Sequence, residues 1–119
     1  MSWEVEYTDQ FGLWWDSLTA DDQRRIEAAV EVLQERGPGL GRPWVDTLQG
    51  SRHPNMKELR PRGGHLRILF AFDPRRAAIL LLGGDKTGQW SSWYEQAIPQ
   101  ADDLYDEHLR ELRDEGSAP

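Results

Sequence analysis

Four cationic side chains, Lys57, Arg60, Arg67 and Lys86, recur at intervals that neighbouring strands would bring together. Lys57 alternates with Met56 and Glu58, so it projects from the face opposite Met56. Arg67 lies on the next strand, on the side away from Leu66, Ile68 and Phe70, and Lys86 sits just past the third strand. On this pattern Lys57, Arg67 and Lys86 converge on one open sheet surface. A guanidinium on a strand flanked by two others needs an anion, because an unpaired buried charge is costly. Two kinds of partner fit Arg67: an internal acid such as Glu58 or Asp85, or a phosphate, which a planar guanidinium clamps with two parallel hydrogen bonds.

Trp93 and Tyr94 follow Lys86 closely. Each reads either as a core anchor for a helix or as an aromatic beside a basic groove, the combination that single-stranded RNA binding requires. His53, four residues before Lys57, is a candidate proton-transfer group. His65 opens a strand, and His108 falls on the apolar side of the last helix, where packing is the simpler role. There is no cysteine, no His-x-x-x-His and no clustered-acid motif, so no metal site or cofactor is expected. The stretch Gly83–Gly88 lacks the Gly-Lys-Ser/Thr ending of a phosphate-binding loop.

The elements that must position these residues follow from periodicity. Trp3, Val5 and Tyr7 alternate with polar residues as in a strand with one buried face. Thr8 caps a short helix through Phe11, Trp14 and Trp15, and Thr19 caps a second, whose stripe is Ile26, Ala29, Val30 and Leu33. Gly37-Pro38 ends it. Residues 37–55, rich in Gly and Pro, predict a loop with little regular structure, pinned to the core by Trp44 and Leu48. Strands are expected over 55–60, 65–72 and 77–82, the last apolar throughout and therefore interior. Short turns between them, Pro61-Arg62-Gly63-Gly64 among them, imply an antiparallel meander. Residues 89–97 read as a helix, and Pro99 as the first position of another. The fold class is α+β: two N-terminal helices packed on a small antiparallel sheet, with a C-terminal helix. One domain covers residues 1–119, with 116–119 as a frayed tail.

The formal net charge of −7 argues, taken alone, against a nucleic-acid partner. Its distribution argues otherwise: residues 1–39 carry −6, residues 40–90 carry +5 and residues 91–119 carry −6. No signal peptide or membrane span is expected, which suits a cytoplasmic protein.

The segments His53-Pro54-Asn55-Met56-Lys57-Glu58-Leu59-Arg60, Arg67-Ile68-Leu69-Phe70-Ala71-Phe72-Asp73-Pro74 and Gly83-Gly84-Asp85-Lys86 together resemble the phage-derived, Gp49-like branch of the RelE/HigB toxins. The resemblance runs from about Val5 to Leu112. It implies a RelE-like fold and a toxin that enters the ribosomal A site and cuts mRNA, the ribose 2′-OH attacking its own 3′-phosphate without a metal. It implies a cognate antitoxin as partner, of helix-turn-helix type, with mRNA and the ribosome as the other partners and no membrane. Arg67 matches the arginine that holds the scissile phosphate, Lys57 and Arg60 the basic strand, and Lys86 the basic residue after the last strand. Tyr94 or Trp93 matches the C-terminal aromatic. The implied catalytic set is Arg67, Lys57, Lys86, Tyr94 and His53, with Arg60, Arg62 and Trp93 binding RNA. Two departures stand out: the chain is acidic overall, and its last helix carries seven acids from Asp102 to Glu115. A non-catalytic module of the same fold that only pairs with its antitoxin, and a ribonuclease independent of the ribosome, are the alternatives.

Overall fold

The computed structural model describes residues 2–87 and 90–116. The expected start of the last helix at Gln89 and most of the expected frayed tail lie outside the described residues. The elements are β1 (Val5–Tyr7), α1 (Asp9–Asp16), α2 (Ala20–Arg36), a 3-10 turn (Gly37–Gly39), β2 (Val45–Thr47), β3 (Lys57–Leu59), β4 (Leu66–Phe72), β5 (Ala78–Asp85) and α3 (Trp90–Asp114).

The threonine caps form as expected. Thr8 Oγ1 accepts from Phe11 N at 3.0 Å, and Thr19 Oγ1 accepts from Asp22 N at 3.2 Å. Gly37 closes α2 at φ +62°, and a Cβ there would come within 2.4 Å of the Trp3 ring. Only glycine meets both the backbone angle and the contact.

Five strands form one sheet in the order β1-β5-β4-β3-β2. The three expected strands run as an antiparallel meander, which β2 extends, but β1 joins parallel to β5, so the sheet is mixed. The connection from β1 to β5 runs through the α1–α2 hairpin and the three other strands, far longer than a parallel neighbour requires. The loop over 37–55 is also more regular than its composition suggests. Its residues Val45–Thr47 pair with Lys57–Leu59, because Trp44 and Val45 pack onto the core and lay that backbone along the open edge of β3.

Two cores sandwich the sheet. On one face Phe11, Ile26, Ala29 and Leu33 of the hairpin pack on Leu59, Leu66, Ile68, Phe70 and Leu80. On the other, Ala97, Ala101 and Tyr105 of α3 pack on Met56, Leu69, Ala71, Ile79 and Leu81. Pro99 does not begin a helix. It lies inside α3, exposed, while Ala97 and Ala101 on either side are buried against the sheet and hold the helix through the lost hydrogen bond.

One irregularity decides what the sheet presents to α3. Leu69 pairs with Leu82 but Phe70 with Leu80, so Leu81 is an extra residue in β5. Its carbonyl accepts from Thr8 Oγ1 at 2.6 Å. Leu81 and Leu82 both pack in the α3-side core, which reverses the alternation beyond them. Gly84 therefore faces α3.

Candidate functional site: a cationic cluster under the last helix

Direct cross-strand partners share a face. Glu58 is opposite Leu69, and Arg67, two residues before Leu69, is opposite Gly84, so Glu58 and Arg67 both face α3. Lys86 continues the ladder past β5, its backbone N–H bonded to His65 O at 3.1 Å. Two residues beyond Gly84, it falls on the same face. Without the extra residue at Leu81, it would fall on the face of α1 and α2.

Glu58 is almost fully buried, 2% exposed, and is the centre of the cluster. Tyr94 of α3 donates its hydroxyl hydrogen bond to Glu58 Oε1. Arg60 Nε donates to Glu58 Oε2 at 3.0 Å, and Arg67 Nε lies 3.8 Å from Oε1. Lys86 Nζ donates to Tyr94 Oη at 3.1 Å and stands 5.1 Å from the centre of its ring. Arg60 reaches outward to Asp46 at 3.3 Å, and Asp46 also pairs with Arg42 at 2.9 Å. The hydrogen bond from Arg42 holds the Asp46 carboxyl below the usual carboxylate range. Arg67 donates through Nη1 to Leu66 O at 2.7 Å, and its Nε is buried without a hydrogen bond. An unsatisfied buried donor costs about 1–3 kcal/mol, so this N–H is predisposed toward an incoming acceptor.

Electrostatics follow the geometry. Burial lowers the Lys86 ammonium below an ordinary lysine, and the positive charge of Arg67 adds to the effect. Burial and the hydrogen bond to Glu58 push the Tyr94 phenol above its ordinary value, so its proton stays in place. Three cations thus face one carboxylate, in a site closed on top by α3, which contributes Tyr94.

The two aromatics divide their roles. The Trp93 indole seats on Gly84, where a Cβ would come within 2.2 Å of its Nε1. Tyr94, edge-on to Trp93 at 4.9 Å between ring centres, is the one whose polar atom enters the cluster.

Other expected residues lie elsewhere. Lys57 pairs with Phe70 and so projects toward the α1–α2 face, across the sheet from Arg67 and Lys86. The expectation of a single surface fails for it because β3 alternates strictly: Glu58 takes the α3 side and Lys57 cannot. His53 does not approach the cluster. Its Nε2 bonds to Asp106 Oδ1 at 2.7 Å and its ring packs edge-on against Tyr105. Asp106 is twelve residues along α3 from Tyr94, about 18 Å at the helical rise. Arg62 stacks over Trp44, its guanidinium carbon 5.8 Å from the ring centre, in a shallow depression shared with Arg25 and Ala28 of α2. Glu58, weighed from sequence only as one neutralising partner for Arg67, turns out to organise the whole cluster. Its position in Lys-Glu-Leu-Arg, one residue out of phase with Lys57, was the available signal. Among the described residues no group of three or more His, Asp or Glu is placed to hold a metal ion.

The family described as phage-derived protein Gp49-like matches residues 13–106, from α1 through most of α3 and across the whole cluster. This chain belongs to the Gp49-like family of RelE/HigB-type toxins. Among its relatives, the Mycobacterium tuberculosis protein named "Putative toxin HigB3" is 54% identical over 89 residues, covering 75% of this chain and 78% of that protein. "Putative toxin HigB2" of the same organism is 45% identical over 117 residues, 96% of this chain; the chain spans only 58% of its length. Solved structures agree on the fold. A mutant of Escherichia coli toxin RelE in the free state superposes with a TM-score of 0.61 at 14% identity, covering 84% of this chain and 98% of that one. RelE in the archaeal RelE–RelB complex of Pyrococcus horikoshii superposes with a TM-score of 0.60 at 19% identity, covering 75% and 99%. The Gp49-like chain thus carries the RelE fold with an α3 of 25 residues laid over the sheet.

Proposed function

We propose that this chain is the toxin of a toxin–antitoxin pair and an mRNA endoribonuclease that works on the translating ribosome. The observation that carries the reading is the convergence of Arg60, Arg67, Lys86 and the Tyr94 hydroxyl on one face of the sheet, against a single carboxylate. Cleavage by the RNA's own 2′-OH needs no protein nucleophile. It needs the phosphate held in line, the extra negative charge of the phosphorane stabilised and two protons moved. Arg67, whose buried Nε–H lacks a hydrogen-bond partner, supplies the first two. Catalysis requires that these contacts strengthen as charge builds on the phosphorane, and fixed guanidinium and ammonium groups do that.

The partner in this reading is a cognate antitoxin, as in the RelE–RelB complexes that share the fold. The competing reading, a module that binds its antitoxin without catalysis, draws on the neutralisation of Arg60 and Arg67 by Glu58. Translating ribosomes separate the two. The purified chain should cut ribosome-bound mRNA with chelator present, leaving 2′,3′-cyclic phosphate ends, and should leave free RNA largely intact. Intact mRNA on active ribosomes would favour the binding module, and equal cutting of free RNA would favour a ribosome-independent nuclease. Expression of the chain alone should arrest bacterial growth.

A further inference from the structure

Resting on the ribonuclease reading, we propose that Glu58 is the proton acceptor of the cleavage step, reached through the Tyr94 hydroxyl, and that Lys86 on the other side of that hydroxyl is the proton donor to the leaving oxygen. The argument begins with what each group can do. Arg60 and Arg67 keep their protons at any physiological pH. Tyr94 and Lys86 each donate a hydrogen bond within the cluster, so both carry protons there. Among the described residues Glu58 is the one carboxylate in contact with all three of Tyr94, Arg60 and Arg67. His53, the proton-transfer group expected from sequence, is bonded to Asp106 far along α3.

The three groups form a line: Lys86 Nζ donates to Tyr94 Oη, and Tyr94 donates to Glu58 Oε1. Arg67 Nε, 3.8 Å from that same Glu58 oxygen, fixes where a bound phosphate would sit relative to the line. When Lys86 turns to the leaving oxygen, an acceptor position on Tyr94 Oη opens for the 2′-OH. The 2′-oxygen bonds to phosphorus as its proton passes to Tyr94 and the Tyr94 proton passes to Glu58. The bond from phosphorus to O5′ breaks, and O5′ takes a proton from the Lys86 ammonium. The products are a 2′,3′-cyclic phosphate and a 5′-hydroxyl. Glu58 is then neutral and Lys86 an amine, and the same line resets them, Glu58 returning a proton to Tyr94 and Tyr94 passing one to Lys86. No other reactant is required. The lowered proton affinity of Lys86 suits a donor, since an ammonium closer to neutrality gives up its proton more readily.

The titratable and charged groups facing Glu58 are Arg60 just after β3 with Asp46 of β2 behind it, Arg67 of β4, Lys86 after β5 and Tyr94 of α3. In this arrangement the Lys86 ammonium, with its lowered proton affinity, sets the alkaline limb of the rate profile. Glu58 acts through Tyr94 and is a positioning residue by contact, although it ends the step holding the proton.

Single-turnover cleavage on programmed ribosomes tests the assignment with two mRNAs, one ordinary and one with sulfur replacing the bridging 5′-oxygen at the cut. A thiolate leaves without a proton donor. Lys86→Met should slow the ordinary mRNA on the order of a hundred-fold and recover on the sulfur one. Glu58→Gln should be slow on both by a similar factor, and Glu58→Asp should regain part of the rate. Tyr94→Phe, which keeps the ring, should behave as Glu58→Gln does and serves if Glu58→Gln fails to fold. Near-normal cleavage by Glu58→Gln or by Tyr94→Phe overturns the relay, as does failure of sulfur to restore Lys86→Met. If the unaltered chain cuts neither mRNA, the ribonuclease reading itself falls and the relay with it.

Discussion

At the scale of single residues, the sharpest expectation attaches to Arg67. Its Nη1 bond to Leu66 O fixes the guanidinium, and its buried Nε is left without a hydrogen bond. Losing one such preorganised donor costs about 3–4 kcal/mol, on the order of a hundred- to a thousand-fold in rate. Arg67→Ala should therefore abolish most cleavage while circular dichroism stays native. Arg67→Lys should rescue poorly, since an ammonium cannot make the two-pronged contact. Lys57→Ala is the informative comparison, because Lys57 leaves the sheet on the other side and should cost far less. Parity of the two alanine variants in the ribosome assay would contradict the placement. The side of the sheet that Arg67 takes was legible in the sequence because it follows from strand alternation, whereas Tyr94 could be read only as one of two neighbouring aromatics. His53 was not, because nearness to Lys57 along the chain says nothing about a loop that folds back onto α3. There Ser51 and the Arg52 N–H bond to buried Asp102 at 2.5 and 3.1 Å and draw His53 to Asp106.

At the scale of elements, two junctions hold the site together. One is the seat of α3 on β5. Gly84 has no side chain, and Trp93 occupies the space where one would be. Gly84→Ala should displace the start of α3 and with it Tyr94. Overpacking of this kind costs about 1–3 kcal/mol in stability, but cleavage should fall by a larger factor than the melting temperature implies. A variant with lowered melting temperature and undiminished activity would show that the seat does not position Tyr94. The other junction is Asp73, at the turn between β4 and β5. Its buried carboxylate accepts from the N–H groups of Arg75 and Ala77, from the Arg75 guanidinium, and from His108 of α3 at 2.9 Å. Arg75 extends the tie to Glu6 of β1 at 2.9 Å. Burial alone would raise the carboxyl, yet the hydrogen bonds from His108, Arg75 and Ala77 outweigh it and the net shift is downward. A lowered folded value means this stabilisation is complete above the unfolded carboxyl range, near 4, and is lost as pH falls through the folded value. Acid unfolding below about pH 4 should therefore be shallower in Asp73→Asn, which should also melt lower at neutral pH. An unchanged acid limb would remove Asp73 from that role. These junctions were hidden in sequence for a physical reason. The apolar run Ala77–Leu82 reads as one smooth strand, and the extra residue at Leu81 leaves no trace in its composition, yet it turns Gly84 and Lys86 toward α3.

At the scale of the whole molecule, the charge distribution constrains how RNA is met. The chain presents a small basic cluster roofed by an acidic helix, and its net charge is −7. In the proposed ribonuclease, free single-stranded RNA would gain about two or three phosphate contacts at the cluster, with a salt slope near −2, and would be repelled by α3 on the approach. Substrate already held on a ribosome avoids that approach, which fits a toxin needing its RNA presented. The repulsion can be dissected by distance. Glu95 adjoins Tyr94 and is exposed, whereas Glu111, also exposed, is sixteen residues further along α3, roughly 24 Å away. At physiological ionic strength charges are screened beyond about 8 Å, and at 0.01 M only beyond about 30 Å. Glu95→Gln should therefore strengthen binding of a short single-stranded RNA under both conditions. Glu111→Gln should strengthen it at low salt and lose the effect at physiological salt. Fluorescence anisotropy with a labelled oligonucleotide reads both. Equal effects of the two substitutions at physiological salt would mean that RNA lies along the full length of α3 and not over Tyr94 alone. An absence of any effect at low salt would mean that the acidic helix plays no part in keeping free RNA away.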